Sequence, residues 1–423
     1  MTDGTSTDSE FQAAEVEATA ISADHITITT TTRDSAELGR RIEAWLAAKL
    51  PDGAEPTVCD VVKPEGNGMS SETLLFTARW TEAVSPGTDV AAGVRAVRRP
   101  EQRQAGAGIR DERFVARIEP ELDKVPVFPT YDLRLQFDVM SLVGESTDVP
   151  VPETLWYEPD RGVIGAPFFV MARVDGEVPR DVLPYTFPDP NWVLDAAPGQ
   201  REQLQRSAVA ALAGIHELTP DTHDLSFLAY DQPGATSLER HLASWECYLE
   251  WVVGDERSPL LDECFAWLRA NLPVEGTDTG SARLSWGDAR LGNMMFADFD
   301  VVAVLDWEMA GIAPPEVDLG WMAYLHLFFQ DLTTGLGADG LPDFMRPVDL
   351  AAAYAQVSGR VPGDLTWPIA YAAMRHGVIM RRVTERSILF GEAVRPDDVD
   401  DMVVHRATLR AMLDGTYWDT IAL

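Results

Sequence analysis

LSWGDARLGNMMFADFDVVAVLDW, running from Leu284 to Trp307, holds short apolar runs with oxygen-bearing side chains at their ends. The first run stops at Trp286, Gly287 permits a tight turn, and Asp288 stands at the strand's exit. Asn293 lies five residues further on, just before a second strand from Met294 to Phe296. After a turn over Asp298 to Asp300, Val301 to Leu305 returns and delivers Asp306. Strands so connected can gather Asp288, Asn293 and Asp306 around one point. Taken singly, Asp and Gly-Asn are ordinary turn residues. Together they match the needs of phosphoryl transfer. One carboxylate orients the attacking hydroxyl and accepts its proton, while an amide oxygen and a second carboxylate hold Mg²⁺ on the phosphates. Magnesium takes hard oxygen ligands and keeps waters, so one Asn and one Asp suffice.

Outward from this segment, the chain changes character along its length. Met1 to about Ser22 is polar, acidic and aperiodic, and residues 1–32 read as a disordered tail or arm. Asp34 is a helix N-cap, followed by Leu38, Ile42, Leu46 and Leu50 at four-residue spacing, with Pro51 as the stop. Strand-like runs follow at Val58 to Val62, Leu74 to Trp80, Phe114 to Ile118 and Phe168 to Val174, with one helix near Leu133 to Leu142. An Arg/Gly/Ala-rich stretch within 81–112 carries Arg95, Arg98, Arg99 and Arg103, and its arginines suit a lid over phosphates. Beyond Pro179 amphipathic helices dominate. The expectation is an α+β protein of two lobes: a small antiparallel-sheet N-lobe over 33–173 and a large helical C-lobe over 174–423.

Composition sets outer bounds. Across 423 residues, 46% are hydrophobic and the mean hydropathy is -0.10, with no apolar run long enough to span a bilayer. The N-terminus lacks a secretory pattern, so a cytoplasmic location is expected, with no membrane partner. Cys59, Cys247 and Cys264 form no metal or disulfide pattern. The net charge of -34 argues against a nucleic-acid partner. It would suit a cationic substrate, although such a field governs solubility and steering more than any one site.

Segment 284–307 resembles the catalytic loop of the aminoglycoside phosphotransferase family, a branch of the protein-kinase-like superfamily. That motif runs His-Gly-Asp, four residues, Asn, and the family's second motif appears here as VAVLDWEMAGIAPPEVDLGW. The resemblance extends over roughly residues 35–415. DVPVPETLWYEPDRGVIGAPFFVMARVDGEVP and LERHLASWECYLEW place it near the kinase-like domains fused to acyl-CoA dehydrogenases. It implies an ATP- and Mg²⁺-dependent phosphotransferase acting on a hydroxyl of a small molecule, aminoglycoside-like or a hydroxylated metabolite. Asp288 takes the place of the catalytic base, Asn293 and Asp306 of the metal ligands, and Glu308 of an outer-shell or second-metal contact.

On the nucleotide side, Gly66, Asn67, Gly68, Ser70 and Ser71 match the phosphate loop. Arg117 stands where the family has its phosphate-binding lysine, with Lys124 as another candidate and Gln136 at the partner glutamate. Phe169, Met171 and Arg173 lie on the strand whose backbone pairs with the adenine edge. Trp286 departs from the motif histidine, and an indole N–H can donate one bracing bond but accept none. Together, Trp286, Arg117 and Gln136 keep open an alternative, a nucleotide-binding regulatory protein without transferase activity. His216 reads as structural, Asp318 as a helix cap that also braces the loop. Arg381, Arg382 and Arg386, at helical spacing, read as surface ion pairs or as contacts for an anionic acceptor.

Overall fold

The computed structural model describes residues 33–64, 71–81, 108–121, 125–254, 256–421 and 423. The expected tail 1–32, Gly66, Asn67, Gly68, Ser70, the four loop arginines and Lys124 lie outside the described residues. The described residues divide into two compact units, one ending at Asp175 and one running from Gly176.

In the N-terminal unit, helix α1 (Ser35–Lys49) starts on Asp34, whose side chain accepts from the Glu37 N–H. Its buried stripe of Leu38, Ile42, Trp45 and Leu46 packs on a five-stranded antiparallel sheet. The strands are β1 (Thr57–Val62), β2 (Glu72–Thr81), β3 (Ile109–Ile118), β4 (Thr154–Glu158) and β5 (Phe168–Ala172), in the order β1-β2-β3-β5-β4. Alternation sorts the faces. Leu74, Phe76, Phe114, Ala116, Phe168 and Val170 point into the core, each large side chain contributing about 1.5–3 kcal/mol. Phe76 and Phe114 are register partners with ring centroids 5.4 Å apart. The opposite face carries Arg117, and helix α2 (Leu133–Ser146) sets Phe137 against Phe169 there. Helix α3 (Arg161–Ile164) is a single turn between β4 and β5.

The C-terminal unit is helical: α4 (Trp192–Asp195), α5 (Pro198–Ile215), α6 (Ser237–Val253), α7 (Pro259–Ala270), α8 (Pro315–Gly335), α9 (Pro347–Ser358), α10 (Thr366–Leu389) and α11 (Arg406–Asp414). Two short ribbons are set among them. Strand β6 (Arg283–Ser285) pairs with β9 (Gly311–Ala313), and β7 (Met294–Ala297) with β8 (Asp300–Val304). Helix α10 buries two of the three arginines read as surface ion pairs. Arg381 and Arg386 are 1% and 3% exposed, Arg381 pairing with Glu385 at 3.0 Å and Glu256 at 3.4 Å. Arg382 lies over the Trp251 ring. Among the described residues no helix is long and apolar enough to cross a membrane.

Buried histidines tie this unit together in neutral form. His326 Nε2–H donates to the Leu341 carbonyl and its Nδ1 pairs with the Tyr185 hydroxyl; His241 does the same with Ile312 and Tyr371. His405 Nε2–H donates to Ala373. Burial lowers their pKa values to about 4 for His326 and His405 and about 3 for His241. The unfolded chain therefore binds protons first as pH falls below about 6.5, and each histidine then costs stability. Urea unfolding at pH 5.5 is expected to show a loss of about 1 kcal/mol per histidine relative to pH 7.5. His326→Gln should reduce that pH dependence.

Candidate functional site

The sequence of 284–307 produces a turn that nothing bulkier could make. Gly287 has φ of +86°, and a Cβ there would lie 1.9 Å from the Met309 carbonyl oxygen. The turn is clamped from below by Asp318, fully buried on α8. Its carboxylate accepts from the Trp286 and Gly287 N–H groups at 2.8 and 2.9 Å, from Ser285 Oγ at 2.8 Å and from His216 Nε2 at 3.0 Å. Asp318 thus braces the loop but is not a cap. The helix begins at Pro315 after Pro314, and Asp318 already sits within its first turn. His216 is structural, its other nitrogen 2.9 Å from the Tyr354 hydroxyl.

Above that clamp, Asp288 is 8% exposed and Asn293 4%. Asn293 Nδ2 donates to Asp288 Oδ2 at 2.6 Å, and Trp321 Nε1 donates to Oδ1 at 2.7 Å. Arg290 Nε donates to both oxygens, at 3.1 and 3.2 Å, while its Nη1 is bonded to Asp181. Burial opposes the charge on Arg290, yet Asp181 and Asp288, with Asp306 adding to them, hold its pKa above the ordinary arginine value. The Leu305 N–H donates to the Asn293 carbonyl at 2.8 Å, which brings Asp306 alongside Asn293. Asp306 itself takes the left-handed backbone, φ 57°, a conformation rarely held by a non-glycine and concentrated at functional sites.

Trp286, in place of the motif histidine, is fully buried and donates its Nε1–H to the Leu305 carbonyl at 2.9 Å. The indole therefore supports the strand end that carries Asp306. Trp286→Phe leaves that carbonyl unpaired and is expected to cost about 1–3 kcal/mol in denaturant unfolding.

Three site contacts escape a reading of the motif: Trp321, Asp181 and Arg375. Arg375 is 1% exposed, its guanidinium 4.2 Å from the Trp321 ring, with Nη2 reaching the Gly287 carbonyl at 3.4 Å. It thus backs the indole that holds Asp288.

In the N-terminal unit, Arg117 lies opposite Thr73 and Phe169 in register and donates to Thr73 Oγ1 at 3.1 Å. Ser71 is buried just before β2, its hydroxyl without a partner among the described residues. Gln136 is buried on α2. The sheet corrects one expectation. Strand β5 lies between β3 and β4, so the backbones of Phe169 and Met171 are already paired on both sides and cannot take an adenine edge. Arg173 follows the strand, and its N–H donates to the Arg113 carbonyl at 2.9 Å.

Comparison with known proteins bears on this geometry. A family model for the phosphotransferase enzyme family matches residues 102–348, more than half of the chain. The Arabidopsis thaliana protein named Probable acyl-CoA dehydrogenase IBR3 is 26% identical over 301 residues, covering 68% of this chain and 35% of its own length. Human acyl-CoA dehydrogenase family member 11 is 31% identical over 220 residues, covering 52% of this chain and 25% of its own. The chain therefore spans about a third or less of these relatives. A Ralstonia eutropha JMP134 protein assigned as an aminoglycoside phosphotransferase shares the fold, with a TM-score of 0.59 at 22% identity, covering 91% of this chain and 99% of that one. The fold is the kinase-like α+β fold of that protein. The chain belongs to the phosphotransferase enzyme family.

Proposed function

We propose that the protein moves the γ-phosphoryl group of ATP to a hydroxyl of a small molecule, with Asp288 as the base that orients the hydroxyl and takes its proton. The observation that carries this reading is the shared carboxylate. Asp288 is pinned by Asn293 at 2.6 Å and Trp321 at 2.7 Å, and Asp306 is seated beside Asn293 by the Leu305 bond. Asn293 uses its amide nitrogen on Asp288, which leaves Oδ1 for a cation. With Asp306 this is an oxygen donor set that suits Mg²⁺ completed by phosphate and water. Consistent with that, no group of three or more His, Cys, Asp or Glu among the described residues could hold a metal alone. The cation would neutralise charge developing on the phosphates. Arg117, Ser71 and Arg173, together with Gly66, Asn67, Gly68 and Ser70 of the sequence motif, are the nucleotide-binding residues of the proposal.

The acceptor is better matched by a hydroxylated metabolite than by a polycationic antibiotic. Although the chain is strongly acidic, Asp181 and Asp288 share Arg290, and Arg375 lies behind Trp321. The carboxylates next to the base are thus already compensated. The acyl-CoA dehydrogenase names of the relatives put hydroxylated acyl compounds first on a test panel, with sugars and aminoglycosides beside them. Incubation with Mg-ATP and mass spectrometry should find one acceptor gaining a phosphoryl group. Thermal stabilisation by Mg-ATP with no product from any acceptor would favour the regulatory alternative instead.

A further inference from the structure

Both oxygens of Asp288 are in use, by three donors. Oδ1 takes Trp321 Nε1 and Arg290 Nε at 2.7 and 3.1 Å; Oδ2 takes Asn293 Nδ2 and Arg290 Nε at 2.6 and 3.2 Å. A carboxylate offers about four lone-pair sites. One Arg290 Nε–H spans the gap between both oxygens, so an incoming hydroxyl competes with it for its place on the carboxylate.

The three donors are not equivalent. Trp321 and Asn293 are buried, and their bonds are short. The Arg290 bond is longer and split between two oxygens. Arg290 also has somewhere to go. Its Nη1 is on Asp181 Oδ2, and Asp181 Oδ1 is buried without a hydrogen-bond partner among the described residues. A guanidinium matched to both oxygens of one carboxylate makes a two-pronged pair, the strongest geometry open to it. The space for this pair is made by an absent side chain. A Cβ on Gly292 would lie 2.3 and 2.4 Å from the Asp181 oxygens and 2.5 Å from Arg290 Nη1.

We propose that Arg290 is a positioning residue that guards the base, yielding Asp288 to the acceptor hydroxyl by closing as a two-pronged pair onto Asp181. The proposal rests on the reading of Asp288 as the base. While Arg290 occupies Asp288, water is not oriented for attack and ATP is spared. Once an acceptor hydroxyl displaces it, the hydroxyl oxygen forms its bond to the γ-phosphorus as the bond to the ADP oxygen breaks. The hydroxyl proton passes to the vacated lone pair of Asp288. Arg290 thus makes the base selective for a bound acceptor over solvent.

The test needs no acceptor. Release of ADP and phosphate from Mg-ATP in water alone is measured for wild type, Arg290→Gln and Arg290→Lys, with thermal shift by Mg-ATP as the check on folding. Arg290→Gln should raise hydrolysis on the order of tenfold, because a charge-assisted donor no longer competes for the base. Arg290→Lys, which cannot span two carboxylates through a planar fork, should raise it in the same direction. Adding Asp288→Asn to Arg290→Gln should abolish the gain. A purely architectural role predicts the opposite sign. Folded Arg290 variants that hydrolyse ATP no faster than wild type overturn the proposal. If Asp288→Asn added to Arg290→Gln leaves the gain intact, the base assignment fails, and this proposal falls with it.

Discussion

Asp288→Asn should lower phosphoryl transfer roughly 10²–10⁴-fold, the usual contribution of a positioned general base, while leaving Mg-ATP binding in place. Size is conserved, so no cavity opens. What changes is proton chemistry: the amide cannot accept a proton at neutral pH, and it offers one oxygen where three donors converge. Trp321 and Asn293 then compete for that oxygen, and Arg290 keeps its bond to Asp181. A modest loss of stability is expected, because every donor but one retains a partner. The measurement is transfer rate at saturating ATP, beside the thermal shift that Mg-ATP produces. Equal rates for wild type and variant in a folded protein would remove Asp288 from the chemistry. A lost thermal shift would mean that its role lies in holding the Asn293 and Asp306 donor set instead. The two readouts separate base from scaffold, which activity alone cannot do.

The residues proposed to carry this chemistry are legible because they lie close together in the chain. Asp288, Asn293 and Asp306 sit on one turn and one ribbon, where strand period and turn residues constrain geometry. The partners that tune them come from far along the chain. Trp321 is 33 residues from Asp288, Arg375 is 88 from Gly287, and Asp181 is 109 from Arg290. No local pattern records such distances, since they are set by how α8, α10 and the segment before α4 pack. The same cause misplaced Arg381 and Arg386. Helical spacing identifies a charged stripe but cannot tell that the helix bearing it is interior. Two strands were also missed. All five residues of β4 are half-buried, so no alternation marks them, and β9 is three residues long. Asp318 was recognised as a brace but mistaken for a cap, because an acidic residue early in a helix usually serves its own N-terminus. Here the four donors come from Ser285, Trp286, Gly287 and His216, none of them on its own helix.

That arrangement makes Asp318→Ala the substitution with the largest expected effect on stability, about 3–5 kcal/mol, the range seen when one partner is stripped from a buried charged network. Four donors lose their acceptor at once, with no water at hand in a site of 0% exposure. Asp318→Asn should do little better, since one oxygen cannot serve donors that now occupy two, and its NH₂ faces N–H groups. Burial works to raise the pKa of Asp318, but the His216 contact and the Gly287 and Ser285 bonds prevail and hold it below the ordinary carboxylate value. The folded state is therefore favoured at neutral pH, above the unfolded pKa, and this contribution disappears as pH falls through the folded value. Denaturant unfolding of both variants at pH 7 measures the loss. Because the clamp fixes Trp286 and Gly287, one residue before the base, activity should fall with stability, whereas Asp288→Asn separates the two. Variants of Asp318 that unfold like wild type would show that the turn at Gly287 is held by its own backbone, and that the carboxylate beneath it is dispensable.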